Sequence, residues 1–324
     1  MPSPLAAILL ALVVFADLSP AYAQAPRRDA KGTQKTKAHA EEKILQARSP
    51  MTGQPFDDRE LGLYFEAESQ KLFAAKRVNP LRFDRHVCGL RIPEPAVENL
   101  AGPAIAARAE AATLVLGEFS REGKKKKGNV VFNVAGGAFM VAPGVCLTSL
   151  HVAKDKGARG FCALTRDGRV FPVREVLAFE SVNDLTLLQL DLPDGVDLPA
   201  LPLARDPAPV GSPVFVMSHP ADRFFLLSTG YVARQTLWRT ETGTEAFMSI
   251  TADFAKGSSG CPVLDEHGHV IGIVNNTESI YYDDEKQSDL QMVVKNATPS
   301  WAVMSLLEST SKSAADSPKP ASAP

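Results

Sequence analysis

Lys256-Gly257-Ser258-Ser259-Gly260-Cys261-Pro262-Val263 sets a serine among small residues, then runs into an apolar strand that ends in the turn Asp265-Glu266-His267-Gly268. A nucleophilic serine needs its hydroxyl on a tight turn whose backbone N–H groups converge to hold an oxyanion. Gly257 gives one peptide the freedom to aim its N–H inward, and Gly260 lets the chain pass closely beneath the site. The Gly-x-Ser-x-Gly elbow of α/β-hydrolases is not met. Centred on Ser259, the fifth position is Cys261; centred on Ser258, the first is Lys256. That argues against an esterase of that kind.

Such a serine needs a base, and the chain holds six histidines. His39 and His86 lie before the β-rich region. His267 and His269 lie in and beside a turn, where a plain turn accounts for them better than a metal site with Asp265. His219 precedes Pro220 in a loop. His151 differs, because it directly follows the apolar strand Val145-Cys146-Leu147-Thr148, and a strand end holds a base rigidly. Asp184 opens the apolar run Asp184-Leu185-Thr186-Leu187-Leu188, where an unpartnered buried carboxylate would be costly. The chain order His151, Asp184, Ser259 is one of the known orders of a nucleophile–base–acid set.

Outward from these residues the texture is short strands. Runs at Thr113-Leu114-Val115-Leu116, Val130-Val131-Phe132, Ala138-Phe139-Met140-Val141, Arg169 to Ala178, Leu185 to Leu190, Val214 to Met217 and Val270 to Val274 are separated by Gly, Pro and charge. That pattern predicts an all-β sandwich or barrel. Lys124 to Lys127, between Gly123 and Gly128, reads as a solvated hairpin tip. Asp191 to Pro209 carries prolines at 193, 199, 202, 207 and 209, so it reads as a connection between two β units. Thr298-Pro299-Ser300-Trp301 opens a helical run to Glu308, with Thr298 or Ser300 as cap.

The 324 residues are 45% hydrophobic and 22% charged, which excludes a uniformly disordered chain. With 35 Lys and Arg against 37 Asp and Glu, the basic bias of a nucleic-acid-binding protein is missing. Leu5 to Ala16 is an apolar run too short to span a bilayer. Ala21-Tyr22-Ala23 then supplies small-x-small spacing, so residues 1–23 are expected to be a signal peptide cut after Ala23. The mature protein would be secreted or periplasmic, with no stable membrane insertion. Residues 24–108 read as an extension, partly disordered, with one amphipathic helix over Asp58 to Arg77. Residues 310–324 read as a disordered tail. Among the four cysteines, Cys146 and Cys162 either form a bridge or are two buried thiols.

Further motifs agree in order. Gly136 to Val141 resembles a Gly-Ser-Gly-Phe-hydrophobic strand, Thr165 to Pro172 a Ser-Asp-Gly-Arg-x-Phe-Pro hairpin, and Asp265 to Ile273 an Asp-x-x-Gly-x-Val-Ile-Gly-Ile strand pair. With His151, Asp184 and Ser259 in their segments, the sequence resembles the trypsin-like serine proteases of chymotrypsin fold, nearest to bacterial HtrA/Deg-type and glutamyl-endopeptidase-like branches. The resemblance runs from about Ala111 to Glu308, and no PDZ domain is expected after it. It implies an all-β fold of two six-stranded antiparallel Greek-key barrels, with a C-terminal helix and a partly helical N-terminal extension. The first barrel would occupy 109–200, and the second barrel with the helix 201–309.

The resemblance further implies a serine endopeptidase that needs no cofactor and no metal, with protein or peptide substrates. His151, Asp184 and Ser259 would be catalytic, and the N–H groups of Gly257 and Ser259 would form the oxyanion hole. Asp253, Asn275 and Asn276 would bind substrate. Asp253, six residues before Ser259, falls where the family places the base of the side-chain pocket. There an aspartate would favour Lys or Arg, unless it only bonds neighbouring backbone and shapes the turn. Ile273-Val274-Asn275 stands where the glutamyl branch has a histidine, which speaks against acidic substrates. Ser258 replaces the acid that pairs with a new N-terminus in the digestive enzymes. The alternative is a non-catalytic protease-like fold that binds a partner through the same cleft.

Overall fold

The computed structural model describes residues 56–307, apart from 87, 91, 93–97, 122–128 and 155–156. The expected signal peptide, the residues up to Pro50, the Lys124 to Lys127 tip and the C-terminal tail lie outside the described residues.

Helix α1, Asp58–Ala74, begins where the Asp57 carboxylate accepts the N–H groups of Arg59 (2.8 Å) and Glu60 (3.2 Å). Asp58 and Glu60 in its first turn oppose the positive end of the helix dipole. Its buried face carries Leu61, Tyr64 and Phe65, and Phe65 meets Phe132 edge-on at 4.9 Å. A second helix, α2 (Gly102–Ala112), starts with Pro103 in its first turn. The sequence reading placed no helix here, because the nearby prolines look like breakers; this one sits where the missing N–H costs nothing.

Twelve strands follow. β1 (Thr113–Arg121), β2 (Val130–Ala142), β3 (Val145–Ser149), β4 (Gly160–Thr165), β5 (Val170–Glu180) and β6 (Leu185–Leu190) close a barrel in the order β1-β2-β3-β6-β5-β4. β7 (Pro213–Ser218), β8 (Leu226–Arg239), β9 (Thr244–Ile250), β10 (Pro262–Leu264), β11 (Val270–Asp283) and β12 (Ser288–Pro299) close a second barrel in the order β10-β11-β12-β9-β8-β7. In each barrel three consecutive strands run side by side and the fourth returns beside the first, which is the Greek-key order. The short helix α3 (Leu150–Ala153) follows β3.

The proline-rich connection crosses between the barrels. Leu201 N–H bonds the Met140 carbonyl (2.8 Å), and Val270 N–H bonds the Pro202 carbonyl (2.8 Å). The C-terminus departs from expectation. β12 runs through Pro299, then a 3-10 turn (Ser300–Val303) leads into α4 (Met304–Leu307). Thr298 and Ser300 do not cap it. Their hydroxyls donate instead to the Asn183 carbonyl (3.1 Å) and the Ala204 carbonyl (2.7 Å), tertiary partners that outcompete local capping.

The first barrel's strands are apolar on both faces. One set of side chains, including Leu114, Met140, Cys146, Phe161 and Leu188, forms one cluster. The other, including Val115, Phe139, Cys162 and Leu164, merges with Phe65 of α1, Ile105 of α2 and Leu306 of α4. Cys146 and Cys162 therefore belong to different clusters, and all four cysteines are free thiols. Of the two readings left open, buried thiols hold. Burial pushes the Cys146 thiol up to about 12 and the Cys162 thiol up to about 11.

His219, fully buried, joins the two barrels. Its Nε2–H donates to the Leu114 carbonyl of β1 (3.2 Å), and its Nδ1 accepts the Phe225 N–H (3.0 Å). Both ring nitrogens are satisfied only in the neutral form, since a proton on Nδ1 would face another N–H. Burial lowers its pKa to about 4.

Two outcomes are expected. In the native protein iodoacetamide should label half-buried Cys88 first, and Cys146, Cys162 and Cys261 only on unfolding; peptide mapping without reductant checks this. Because the His219 pKa is depressed on folding, its contribution to stability is whole above pH 6.5. It is lost as pH falls toward 4, by up to about 3 kcal/mol. Urea midpoints across that range should fall more steeply for wild type than for His219→Gln, and parallel curves would refute the assignment.

Candidate active site

β3 is buried along its whole length and delivers His151 at the start of α3. Asp184 lies in the turn between β5 and β6, in the left-handed region at φ +57. Glu180 shapes that turn by accepting the N–H groups of Val182 (2.5 Å) and Asn183 (2.8 Å), while the Asn183 amide oxygen accepts Ala246 N–H (2.9 Å) from β9. Asp184 grips the histidine segment at three points. Its backbone carbonyl accepts Leu150 N–H (2.9 Å), Oδ1 accepts His151 N–H (2.8 Å), and Oδ2 accepts His151 Nδ1–H at 2.5 Å. The carboxylate only accepts, so the proton is assigned to Nδ1 and the lone pair to Nε2.

Ser259 lies on a turn braced from both barrels. Its carbonyl accepts Gly137 N–H (2.8 Å) of β2, and Gly260 N–H donates to the Val274 carbonyl (2.8 Å) of β11. A Cβ on Gly260 would overlap Thr148 Oγ1 and the Gly137 carbonyl, and its φ is +85. Only glycine fits this close approach. The Ser259 hydroxyl donates to the Asn275 carbonyl at 3.1 Å. The structure thus brings Asp184 and His151 into direct contact, while the Ser259 hydroxyl rests on β11.

The Lys256–Gly257 peptide has a defined direction. The Lys256 carbonyl accepts Ala221 N–H (2.7 Å), so the N–H of Gly257, on the opposite edge of the same planar unit, points the other way. Gly257 adopts φ +96, and a Cβ there would press on the His219 carbonyl at 2.8 Å. The loop that holds this peptide, 219–225, contains Ala221, Asp222 and Phe225 in the left-handed region. Asp58 of α1 accepts Phe224 N–H (2.9 Å), which ties the N-terminal helix to the same loop.

The three residues expected to bind substrate differ in placement. Asn275 is half-buried; its amide donates to Thr298 Oγ1 (3.0 Å) and approaches Asp184 Oδ2 (3.5 Å). Asn276 is exposed, and its amide oxygen accepts from Asn296 (3.1 Å). Asp253 does not form the base of a pocket. Its side chain is 92% exposed, because its neighbours Ala252 and Phe254 take the buried positions and alternation turns the aspartate outward. Its backbone carbonyl accepts the Ser228 hydroxyl (2.5 Å). Facing this segment is a residue the sequence reading passed over, Lys295 of β12, whose side chain is only 14% exposed. The available signal was one lysine inside the otherwise uncharged run Met292-Val293-Val294-Lys295-Asn296-Ala297.

Among the described residues no three metal-ligating side chains cluster, and no helix is long and apolar enough to cross a membrane.

Comparison with known proteins follows the same frame. Residues 136–273 match the family described as trypsin-like peptidase domain, a span that includes His151, Asp184 and Ser259. A Synechocystis protein described as "Putative serine protease HhoA" is 29% identical over 135 residues, 40% of this chain and 33% of that protein. "Uncharacterized protein y4bJ" of Sinorhizobium fredii is 26% identical over 141 residues, 43% of this chain and 21% of that one. The chain thus matches a third or less of the length of these curated relatives. A solved structure of a serine-to-alanine form of the HtrA-type protease AlgW with a decapeptide superposes with a TM-score of 0.50 at 22% identity. That superposition covers 63% of this chain and 66% of that one. On fold and family match together, residues 136–273 are similar to a trypsin-like peptidase domain, and they lie within two closed six-stranded barrels consistent with a chymotrypsin-like fold.

Proposed function

We propose that this chain is an exported serine endopeptidase. The observation that carries the reading is the three-point hold of Asp184 on the His151 segment, beside a serine turn that glycine alone can make. Ser259 attacks the scissile carbonyl, and His151 Nε2 takes its proton and returns it to the leaving amine. Asp184 keeps the ring in the Nδ1–H form and stabilises the imidazolium. The N–H groups of Gly257 and Ser259 receive the oxyanion, the first directed by the bond that Ala221 N–H donates to the Lys256 carbonyl. Protein or peptide substrates fit this chemistry. The AlgW structure was solved with a decapeptide, and the cyanobacterial relative is described as a serine protease. Met1 to Ala23 is the export signal in this reading, and the N-terminal sequence of the mature protein would begin at Gln24.

One observation favours a second reading, a non-catalytic binding module: the Ser259 hydroxyl donates to the Asn275 carbonyl. A rotation about one side-chain bond redirects it, and catalytic hydrogen bonds often tighten only when substrate binds.

Incubation with a fluorophosphonate should label wild type at Ser259 and leave Ser259→Ala unlabelled. Ser259→Ala should lose peptide hydrolysis by several orders of magnitude with its melting temperature nearly unchanged. An unlabelled wild type, or a Ser259→Ala variant with wild-type turnover, would overturn the proposal.

A further inference from the structure

Asp253 was expected to draw a basic side chain into the substrate cleft, but the charge turned toward that cleft belongs to Lys295. Its position follows from strand register. Ser259 rests on Asn275 of β11; the next residue, Asn276, pairs with Asn296 of β12; one step further, Thr277 pairs with Lys295. Lys295 also pairs with Ile250 at the end of β9, the strand that leads into the segment 251–257 before the nucleophile. Its side chain reaches across to that segment. The ammonium donates to the Phe254 carbonyl (2.6 Å) and lies 5.6 Å from the Phe254 ring centre. Lys295 thus closes the space bounded by the segment before Ser259 and the strand after it.

Its charge is poorly compensated. An ammonium has three donors, and the recorded bond uses one of them on a neutral carbonyl. The carboxylate paired with it, that of Asp253, stands off at 3.8 Å, too far for a hydrogen bond, and is almost wholly in water. A pair of that kind contributes little. Lys256, exposed just before Gly257, adds a second positive charge at the same turn. On the Lys295 side of the site, the two lysines face one solvated aspartate, since Asp184 is engaged with His151.

We propose that the side-chain pocket next to Ser259 takes an acidic residue, Asp or Glu, through Lys295. This rests on the peptidase reading and names the substrate class of that site. A carboxylate entering the pocket meets a half-buried ammonium with donors to spare, where screening by water is reduced. An Arg or Lys would meet like charge. A Leu would strip water from the ammonium and give nothing back. The outcome reverses what Asp253 suggests by position alone, and it supplies from β12 the cation that Ile273-Val274-Asn275 of β11 does not.

The test uses the mature full-length chain and peptidyl diphenyl phosphonates carrying Glu, Asp, Leu or Arg before the phosphorus, with the rate of adduct formation on Ser259 followed by intact mass. Wild type should react at least about tenfold faster with the acidic traps than with Leu or Arg. Lys295→Met, which keeps the length of the stem, should lose that advantage while its Leu trapping rises, showing a folded site relieved of the ammonium's desolvation cost. Lys295→Arg should retain the acidic preference, and Asp253→Asn should keep or raise it. Fastest trapping by Leu or Arg in wild type, or an acidic preference that survives Lys295→Met, would overturn the proposal.

A parallel arm needs no catalysis. Peptides ending in Glu, Leu or Arg are titrated into Ser259→Ala with and without Lys295→Met. Tighter binding of the Glu peptide that depends on Lys295 supports the pocket even if no trap labels Ser259, in which case the catalytic reading alone fails. Equal binding of all three peptides sinks the acidic pocket whatever the labelling shows.

Discussion

One backbone hydrogen bond, from Gly137 N–H of the first barrel to the Ser259 carbonyl of the second, is the constraint on which the site depends. His151 and Asp184 belong to the first barrel and Ser259 to the second, so relative barrel position sets their geometry. At this seam two backbones lie at hydrogen-bond distance. A Cβ on Gly137 would overlap the Cys261 sulfur, and one on Gly260 would overlap Thr148 and Gly137. Thr148 Oγ1 closes the ring of contacts by donating to the Gly137 carbonyl (2.6 Å), and the Ser149 hydroxyl reaches the Val274 carbonyl (3.2 Å). Such a junction tolerates little displacement. It holds groups from separate units in one place without a disulfide, because directional hydrogen bonds in a dry seam have no competing partners.

Around that seam the functional groups are held by backbone more than by side chains. Asp184 accepts two main-chain N–H groups, from Leu150 and His151, beside its one bond to the imidazole. The Gly257 peptide is aimed by a bond from Ala221, in a loop that pays for its direction with three residues in the left-handed region. His219 anchors that loop to β1, and Asp58 anchors it to the N-terminal helix. Preorganisation of this kind suits a site that must stabilise a charge appearing only during reaction.

The parts of this fold that could be read from sequence were those where burial writes a pattern. β3, β6 and β10 are rich in apolar residues and buried almost throughout, and were found, as were the α1 stripe and the proline-rich connection. β8 and β12 were not singled out, because long stretches of them are exposed and mix polar residues with exposed apolar ones such as Tyr231, Trp238, Leu290 and Met292 in no clear alternation; β9 was missed although five of its seven residues are buried. The segments around His151, Asp184 and Ser259 stood out because each combines a reactive residue with a strand boundary. Direction was illegible: a count of six residues locates Asp253 along the chain but cannot say that Ala252 and Phe254 claim the interior. Lys295 was hidden for the complementary reason, since its role comes from pairing with strands 18 and 45 residues away in sequence.

The cluster that covers the first barrel draws on both ends of the described chain. Leu61 and Phe65 of α1 share it with Val303 and Leu306 at the C-terminus, and the Cys88 N–H bonds the Leu306 carbonyl at 2.9 Å. This has a kinetic consequence. A chain emerging from its N-terminus cannot complete this cluster until its last strand and closing turn have been made, and contacts of such long sequence separation are slow to form. Completion of this cluster therefore waits until Leu306 has been made, and until then the apolar face of α1 stays open to whatever else can bind it.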